Sequence, residues 1–519
     1  MQNLMGAKRA RDNTYYSSGQ EYPSFHATES FGPSEVTPEE IEFDAKDVIG
    51  SGSFGTVYRG RCRQKPVAIK VLRGIIDEKK LSEFRTEVHN MSKIFHPNIC
   101  LFMGAALAPG ECIIVTELLP KGNVEMLLHN KEQVMSLSLR MRMARDAAFG
   151  MNWLHCSNPI FIHRDLKSSN LLVDNHMNVK VCDFGLSQFI LRDQMTKDEK
   201  RAKGTPLWMA PEVMNFQAFN EKCDVYSFGI VLWELLTRKE PFEGKFKQIA
   251  KFKEAVCLRG ERPILPTDSP QALTDLINLC WHQEPTYRPT FEFIINSLHG
   301  IIVDCSIRDA QGRIFWKTHY LKEEEVPWND FVEALCKYVG MRDDGNRETN
   351  QKCLKAILVE PKKETVSIEA FGKVLDWFAM AHGVTSVEAD TVLDRIRELL
   401  TRSWFHGDIT TAEAEQKLVG LPHGAFLVRF SSTNAGNYTI SSVAKNGTPR
   451  HQRVSSVPGQ GYNLNGLVRP SLPQIVNDCD GLYIPCPGSK YQSLFASPIQ
   501  GSGYEQCSTM NDETNLMDQ

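Results

Sequence analysis

One run constrains this chain more than any other: Phe161-Ile-His-Arg-Asp-Leu-Lys-Ser-Ser-Asn-Leu-Leu-Val-Asp174, closed a few residues later by Val181-Cys-Asp-Phe-Gly185. Leu171-Leu172-Val173 and Val179-Lys180-Val181 predict two short buried strands with a turn over Asp174-Asn175-His176. Such a hairpin puts Asn170 just before its first strand and Asp183 just after its second, at the same end, with Asp165 in the polar break upstream. Hard oxygen donors gathered there suit Mg²⁺, which takes one or two carboxylates and completes its shell with phosphate oxygens and water. Taken alone, the run is equally compatible with two unrelated surface loops, so the rest of the chain has to decide.

Upstream, Asp47-Val-Ile-Gly-Ser-Gly-Ser-Phe-Gly-Thr-Val-Tyr58 predicts a glycine-rich hairpin. Glycines let a backbone approach a polyphosphate closely and aim its N–H groups at it. A dinucleotide-binding turn shares the spacing but needs a helix straight after the glycines. Here Thr56-Val57-Tyr58-Arg59-Gly60 and Pro66-Val-Ala-Ile-Lys-Val-Leu72 follow, and both read as strands. Lys70 has apolar neighbours on both sides, a costly place for an ammonium unless an anion pairs with it. Residues 78–95 then place Leu81, Phe84, Val88, Met91 and Ile94 at helical spacing. Glu87, beside that stripe, is either the partner of Lys70 or an ordinary exposed helix carboxylate. His96-Pro-Asn-Ile99 stops the helix. Leu101-Phe-Met-Gly104 and Ile113-Ile-Val-Thr-Glu-Leu-Leu119 predict two more strands, giving a five-stranded sheet with one helix.

Gly50-x-Gly52-x-x-Gly55-x-Val57, Val67-Ala-Ile-Lys70, His163-Arg-Asp-Leu-Lys-x-x-Asn170, Asp183-Phe-Gly185 and Ala210-Pro-Glu212 stand in the order of the protein-kinase signatures. With Asp224-Val-Tyr-Ser-Phe-Gly229, Cys280-Trp281 and Arg288-Pro289 downstream, residues 43–302 resemble a protein kinase domain of bilobal fold. The resemblance implies that Ile49, Gly50, Ser51, Gly52, Ser53, Phe54, Gly55, Thr56 and Val57 cover the phosphates of ATP. Lys70, held by Glu87, would contact the α and β phosphates. Asn170 and Asp183 become the Mg²⁺ ligands, and Asp165 orients the acceptor hydroxyl and takes its proton. Glu117 to Leu119 form the adenine-binding hinge, behind Thr116 as a small gatekeeper. Met91, Phe102, His163 and Phe184 resemble the stacked spine of an active kinase. A domain that kept the fold and lost the chemistry would lack the lysine, an aspartate or the glycines, and none is missing.

The acceptor is read from finer features. Lys167, two residues after Asp165, and Gly204-Thr205, ahead of Ala210-Pro-Glu212, are the serine/threonine arrangement: the lysine neutralises the transferring phosphate, and Thr205 fixes it against Asp165. Trp208-Met209, Asn98-Ile99 and Phe102-Met-Gly104 resemble the tyrosine-kinase-like branch, Raf and its relatives. The expectation is dominant serine/threonine transfer, with tyrosine open as a second acceptor. In the activation segment Ser187, Thr196 and Thr205 are the candidate regulatory hydroxyls, with Arg164 available to pair a phosphate. Thr196 is the preferred one, because Thr205 already has a structural part.

Beyond the kinase-like region, residues 303–395 predict a mostly helical connector with amphipathic helices over residues 328–339 and 367–378. The second has a faint EF-hand look, but the spaced Asp/Asn ligands and central glycine are absent, so calcium is not expected there. Trp404-Phe-His-Gly407 followed by Gly424-Ala-Phe-Leu-Val-Arg-Phe-Ser-Ser432 makes residues 404–495 resemble an SH2 domain, a central antiparallel sheet flanked by two helices. Arg429 falls in an apolar strand with nothing local to pair it, and a buried bidentate guanidinium wants a planar anion such as phosphate. Ser431, His451 and Arg453 would complete the phosphotyrosine pocket. Thr411 stands where many SH2 domains place a second arginine, which lowers the expected affinity unless Arg450 or Arg453 compensates. Residues 1–38, with Tyr15 and Tyr16, and 496–519 read as polar tails, and Tyr491 and Tyr504 as candidate ligands for the SH2 domain in cis.

Composition limits the partners. A net charge of −4, from 59 basic and 63 acidic residues, offers no footprint for nucleic acid. Fourteen scattered cysteines without metal-ligand spacing and no leading signal segment point to reduced thiols in the cytoplasm. No apolar run approaches membrane-spanning length and no lipidation motif is present, so any contact with the plasma membrane is expected through phosphotyrosine partners. The whole is an α+β multidomain chain resembling the SH2-containing dual-specificity kinases of amoebae (Shk type), with ATP and Mg²⁺ as cofactors. The alternative is a phosphotyrosine-binding adaptor whose kinase activity is secondary.

Overall fold

The computed structural model describes residues 36–52, 55–73, 78–108, 111–190, 204–339, 345–360, 362–378, 389–431, 436–457 and 459–495. Tyr15, Tyr16, Ser53, Phe54, Thr196 and Tyr504 lie outside the described residues. The chain divides into two units, Met1–Ser306 and Ile307–Gln519.

In the first unit β1 (Ile41–Gly52), β2 (Gly55–Cys62), β3 (Lys65–Arg73), β4 (Phe102–Ala108) and β5 (Glu111–Glu117) form an antiparallel sheet in the order β1-β2-β3-β5-β4, with α1 (Glu78–Met91) inserted after β3. Strand side chains alternate. Val67, Ile69 and Val71 therefore bury with Ile113 and Val115 on one face, and Lys70 is left on the other, where Phe84, Val88 and Met91 of α1 pack with Ile114. The helix stops at Met91, a turn short of the expected Phe95. Lys93 and Ile94 close it with bonds to Asn90 and Met91 carbonyls, and Pro97 disfavours helical backbone at His96. The early stop delivers Asn98, whose side chain donates to Val179 O and whose carbonyl accepts from Val181 N.

The second lobe contains α2 (Val124–His129), α3 (Leu137–Cys156), β6 (Ile160–Ile162), β7 (Leu171–Val173), β8 (Val179–Val181), β9 (Gln188–Ile190), α4 (Pro211–Met214), α5 (Lys222–Thr237), α6 (Ile249–Cys257), α7 (Gln271–Cys280) and α8 (Phe291–Ser306). β7 and β8 form the expected hairpin, Leu171 opposite Val181 and Val173 opposite Val179. Residues from Cys223 through Leu235 of α5 are all buried. A helix apolar all round belongs inside a core, and α5 is the post on which this lobe is assembled.

The second unit opens with α9 (Ala310–Tyr320), β10 (Glu325–Pro327), α10 (Trp328–Tyr338), α11 (Arg347–Leu358), β11 (Thr365–Ser367), α12 (Ile368–Phe378) and α13 (Ala389–Leu400). The connector is more than helices. β10 and β11 pair antiparallel through Val326 and Val366, so two helix–strand–helix motifs share a small ladder over a core of Phe315, Trp316, Phe331 and Phe371. Strands this short carry no period that a sequence can show. Then follow β12 (Phe405–Gly407), α14 (Thr411–Leu418), β13 (Ala425–Phe430), β14 (Tyr438–Val443), β15 (Pro449–Val457), β16 (Gly461–Leu464), β17 (Leu467–Arg469), α15 (Leu472–Asn477) and β18 (Ile484–Pro485). The sheet runs in order from β12 to β17, with β18 beside β13. Tyr491 corrects an expectation: it is no ligand in cis but a core residue, 3% exposed, stacked on Phe405 and pressed against Gly407, where a Cβ would collide with its ring. Among the described residues no helix is long and apolar enough to cross a membrane.

Gly150 tests the packing beneath the hairpin. A Cβ there would lie 2.5 Å from Asn98 O and 3.0 Å from Val181 Cγ2. Helix propensity alone makes Gly150→Ala stabilising by about 1 kcal/mol. Overpacking against backbone costs about 1–3 kcal/mol, so the variant is expected to melt below the wild type by calorimetry; a higher melting temperature contradicts the packing.

Candidate active site and phosphate-binding site

β3 carries Lys70 opposite Ile114, and its Nζ reaches Glu87 Oε1 at 2.8 Å and Asp183 Oδ1 at 3.1 Å. Of the two readings of Glu87, the partnered one holds, at 8% exposure. Burial pulls the ammonium down, but Asp183 and Glu87 outweigh it and raise Lys70 above its ordinary range. Asp183 shows the converse: burial pushes its carboxyl up, and Lys70 holds it below the usual carboxylate range. In the glycine hairpin Gly50 pairs with Val57, Ser51 with Thr56 and Gly52 with Gly55. Gly55 has φ +130, and a Cβ there would sit 2.6 Å from Val71 O, so no other residue fits.

The hairpin brings Asn170 and Asp183 to one end, where Cys182 N donates to Asn170 O at 3.0 Å. Asn170 Nδ2 donates to the Asp165 carbonyl at 2.8 Å and to Asp165 Oδ2 at 3.2 Å. Thr205 donates to Asp165 Oδ1 twice, from N at 2.8 Å and from Oγ1 at 2.7 Å. Lys167 Nζ lies 2.8 Å from Thr205 Oγ1 and 3.1 Å from Asp165 Oδ2. Asp165, Lys167 and Thr205 thus form a closed triangle. Met91, Phe102 and Phe184 share one core cluster, and His163 meets the Phe184 ring at 5.3 Å. Glu212 is gripped through both carboxylate oxygens by Arg288. Of the activation-segment hydroxyls, Ser187 donates to His163 O and Thr205 is committed to Asp165, while Arg164 Nη1 donates to Gln188 Oε1.

Two arrangements were not visible beforehand. Glu117, expected in the hinge with Thr116 and Leu119, turns its carboxylate to Lys180 Nζ at 2.7 and 2.8 Å and to Leu101 N at 2.7 Å. Glu234 of α5 is buried and receives Ser168 Oγ at 2.6 Å and Trp208 Nε1 at 2.8 Å. It joins the catalytic loop, the stretch of the kinase signature from His163 to Asn170, to the segment ahead of Ala210-Pro-Glu212. A glutamate amid apolar helix residues was the available signal. Burial pushes its carboxyl up to about 8, the two donated bonds only partly opposing it.

In the second unit Thr410 and Glu413 form a capping box that starts α14 and sets Thr411 at its first position. Arg429, 3% exposed, donates from Nη2 to Thr411 Oγ1 at 2.8 Å, and its Nε is buried without a partner. Thr439 and Arg453 lie beside Arg429 across β14 and β15, and Leu427, Ser441 and His451 form the next row of that face. His451 is shared by Ser441 Oγ at 2.9 Å and Glu415 Oε1 at 3.1 Å, an acidic neighbour the sequence did not suggest. Ser431 is buried one alternation beyond Arg429.

Glu234 gives a pH test. Its carboxyl keeps a proton to about pH 8 in the folded protein and gives it up near 4.5 when unfolded. Its contribution to stability is therefore complete below pH 4.5 and is lost as pH rises through 8. Trp208 Nε1 only donates, so the proton of the neutral form belongs on Oε1, where Ser168 can accept it. Glu234→Gln reproduces that form at every pH. Its melting temperature is expected to gain about 2–4 °C on the wild type between about pH 6 and pH 9, whereas parallel curves contradict the assignment.

A family model described as "Protein tyrosine and serine/threonine kinase" matches residues 43–298, and one for the SH2 domain matches residues 404–478. Dual specificity protein kinase shkC of Dictyostelium discoideum is 51% identical over 500 residues, covering 92% of this chain and 97% of its own length. Dual specificity protein kinase shkA of the same organism is 47% identical, covering 92% and 94%. Serine/threonine-protein kinase CTR1 of Arabidopsis thaliana is 44% identical over 264 residues, half of this chain and 32% of its own length. With both modules matched and the two Dictyostelium relatives covered almost end to end, the chain belongs to the Shk family of protein kinases, a kinase domain followed by an SH2 domain.

Proposed function

We propose that this kinase transfers the γ-phosphate of ATP to serine and threonine hydroxyls of proteins, accepts tyrosine as a second acceptor, and is brought to its partners by phosphotyrosine binding at the SH2 domain. The observation that carries the reading is the triangle of Asp165, Lys167 and Thr205. An ammonium held beside the carboxylate that receives the acceptor proton is placed to neutralise a transferring phosphate. The Shk relatives are named dual specificity kinases, which supports tyrosine as the additional acceptor.

The residues fit a nucleotide with Mg²⁺. Asn170 spends its amide nitrogen on Asp165, which leaves its oxygen as a hard donor at the end of the hairpin that also carries Asp183. Mg²⁺–ATP, when bound, supplies the phosphoryl group and the countercharge for its transfer. Lys70, kept cationic by Glu87 and Asp183, meets the phosphates; the hinge from Thr116 to Leu119 takes the adenine; and Asp165 orients the acceptor and takes its proton at a carboxylate oxygen. Arg429, with Ser431, His451 and Arg453, binds phosphotyrosine. The protein works in the cytoplasm and reaches the plasma membrane through tyrosine-phosphorylated partners.

Phosphoamino-acid analysis after labelling a degenerate peptide mixture tests this. Phosphoserine and phosphothreonine are expected to exceed phosphotyrosine, and Asp165→Asn to lower kcat by roughly 10²–10⁴-fold. Labelling of tyrosine alone, with Lys167→Ala fully active, contradicts it. Lys70→Met and Arg429→Lys in one cellular assay separate the enzyme from the adaptor, because only the enzyme needs Lys70.

A further inference from the structure

The connector ends against the SH2 sheet at one defined place. Trp377, next to last in α12, lies flat on Phe430 of β13, with ring centroids 3.8 Å apart and planes 19° from parallel. Its Nε1 donates to Asn437 O at 3.2 Å, and its carbonyl accepts from Tyr438 Oη at 3.3 Å and Tyr462 Oη at 3.5 Å. Beside it, Gly436 has φ +83 and packs so closely on Asp376 O that a Cβ would lie 2.9 Å away.

Asn437 and Ser431 are the two stems of the hairpin that joins β13 to β14. Asn437 O also accepts from Ser431 N at 2.9 Å, and Asn437 Oδ1 accepts from Ser456 N at 3.0 Å. One carbonyl therefore receives both the indole of the connector and the backbone of the serine that follows the phosphate-binding strand. Strand alternation sends Phe430 to one face and Arg429, with Ser431, to the other. The connector thus grips the back of the segment whose front carries the guanidinium.

We propose that Trp377 is a positioning residue of the phosphotyrosine pocket, so that connector and SH2 sheet act as one module for phosphotyrosine monoesters. The inference rests on the SH2 reading above. A pocket that reads a phosphate through a guanidinium and a serine needs both held to within about 0.5 Å. Trp377 supplies that restraint from behind, through Phe430 and Asn437.

The test uses the full chain, with phenyl phosphate and a degenerate phosphotyrosine peptide as probes. Trp377→Phe keeps a ring on Phe430 and loses the bond to Asn437; it is expected to weaken both probes in the same proportion, about three- to tenfold. Trp377→Ala loses the stack as well and weakens them further, beyond about tenfold. Equal loss on phenyl phosphate marks the phosphate pocket itself, which general loosening of a peptide groove does not reproduce. If Trp377→Ala fails to fold, Trp377→Phe decides alone. The proposal is overturned if the variants bind both probes within about twofold of the wild type while Arg429→Ala binds neither. It is also overturned if only the peptide is weakened. Should the wild type bind neither probe, the SH2 reading fails and the proposal falls with it.

Discussion

The catalytic loop stands on one buried carboxylate. Asp224, at the start of α5 and fully buried, accepts His163 N and Arg164 N at 2.8 Å each and His155 Nε2 at 2.9 Å. Burial alone would raise its carboxyl, but the His155 bond and the backbone donors hold it below the usual range, and the start of a helix favours its charge. The same grip sustains Arg164 at φ 71, a conformation that costs a non-glycine residue of order 1–3 kcal/mol. Asp165 follows directly, so the direction of its side chain is set by what Asp224 holds.

Ten residues along the same helix, about 15 Å by helix rise, Glu234 takes Ser168 and Trp208. Both acids are buried, but with opposite outcomes: three donors near a helix start keep Asp224 charged, while at Glu234 burial outweighs its two donors and holds the proton up to about pH 8. One buried helix therefore fixes both ends of the catalytic loop and the segment carrying Thr205. The contrast extends to the cations. Lys70 is flanked by two carboxylates, whereas Arg429 is met by the Thr411 hydroxyl and the Phe430 carbonyl and keeps a buried Nε without a partner.

Much of this was legible because the kinase signatures are local. The glycine hairpin, Lys70, the β7/β8 hairpin with Asn170 and Asp183 at one end, and Arg429 in its apolar strand each announce themselves within a dozen residues. What stayed hidden is long-range or contrary to local pattern. Glu234 drew no reading because its partners lie 66 and 26 residues away in sequence. Glu117 was read as a hinge residue, but nothing local shows its carboxylate turning to Lys180. Tyr491 sits in a polar, Gly/Ser-rich stretch at the end of the SH2-like region, where no period marks a core residue, yet a glycine at 407 opens the space that its ring fills. The ladder of β10 and β11 was missed because three-residue strands leave no periodicity.

Asp224→Asn tests the central claim directly, because an amide accepts through only one oxygen and cannot receive both backbone N–H groups as the carboxylate does. The measurement pairs kcat with hydrogen exchange at the His163 and Arg164 amides. The expected result is exchange sharply accelerated at those two positions and kcat lowered by about 10²-fold or more, with the KM for ATP nearly unchanged, as a misplacement of about 1 Å at the acceptor side demands. A folded variant with unprotected amides at His163 and Arg164 but kcat within a few-fold of the wild type would contradict the account.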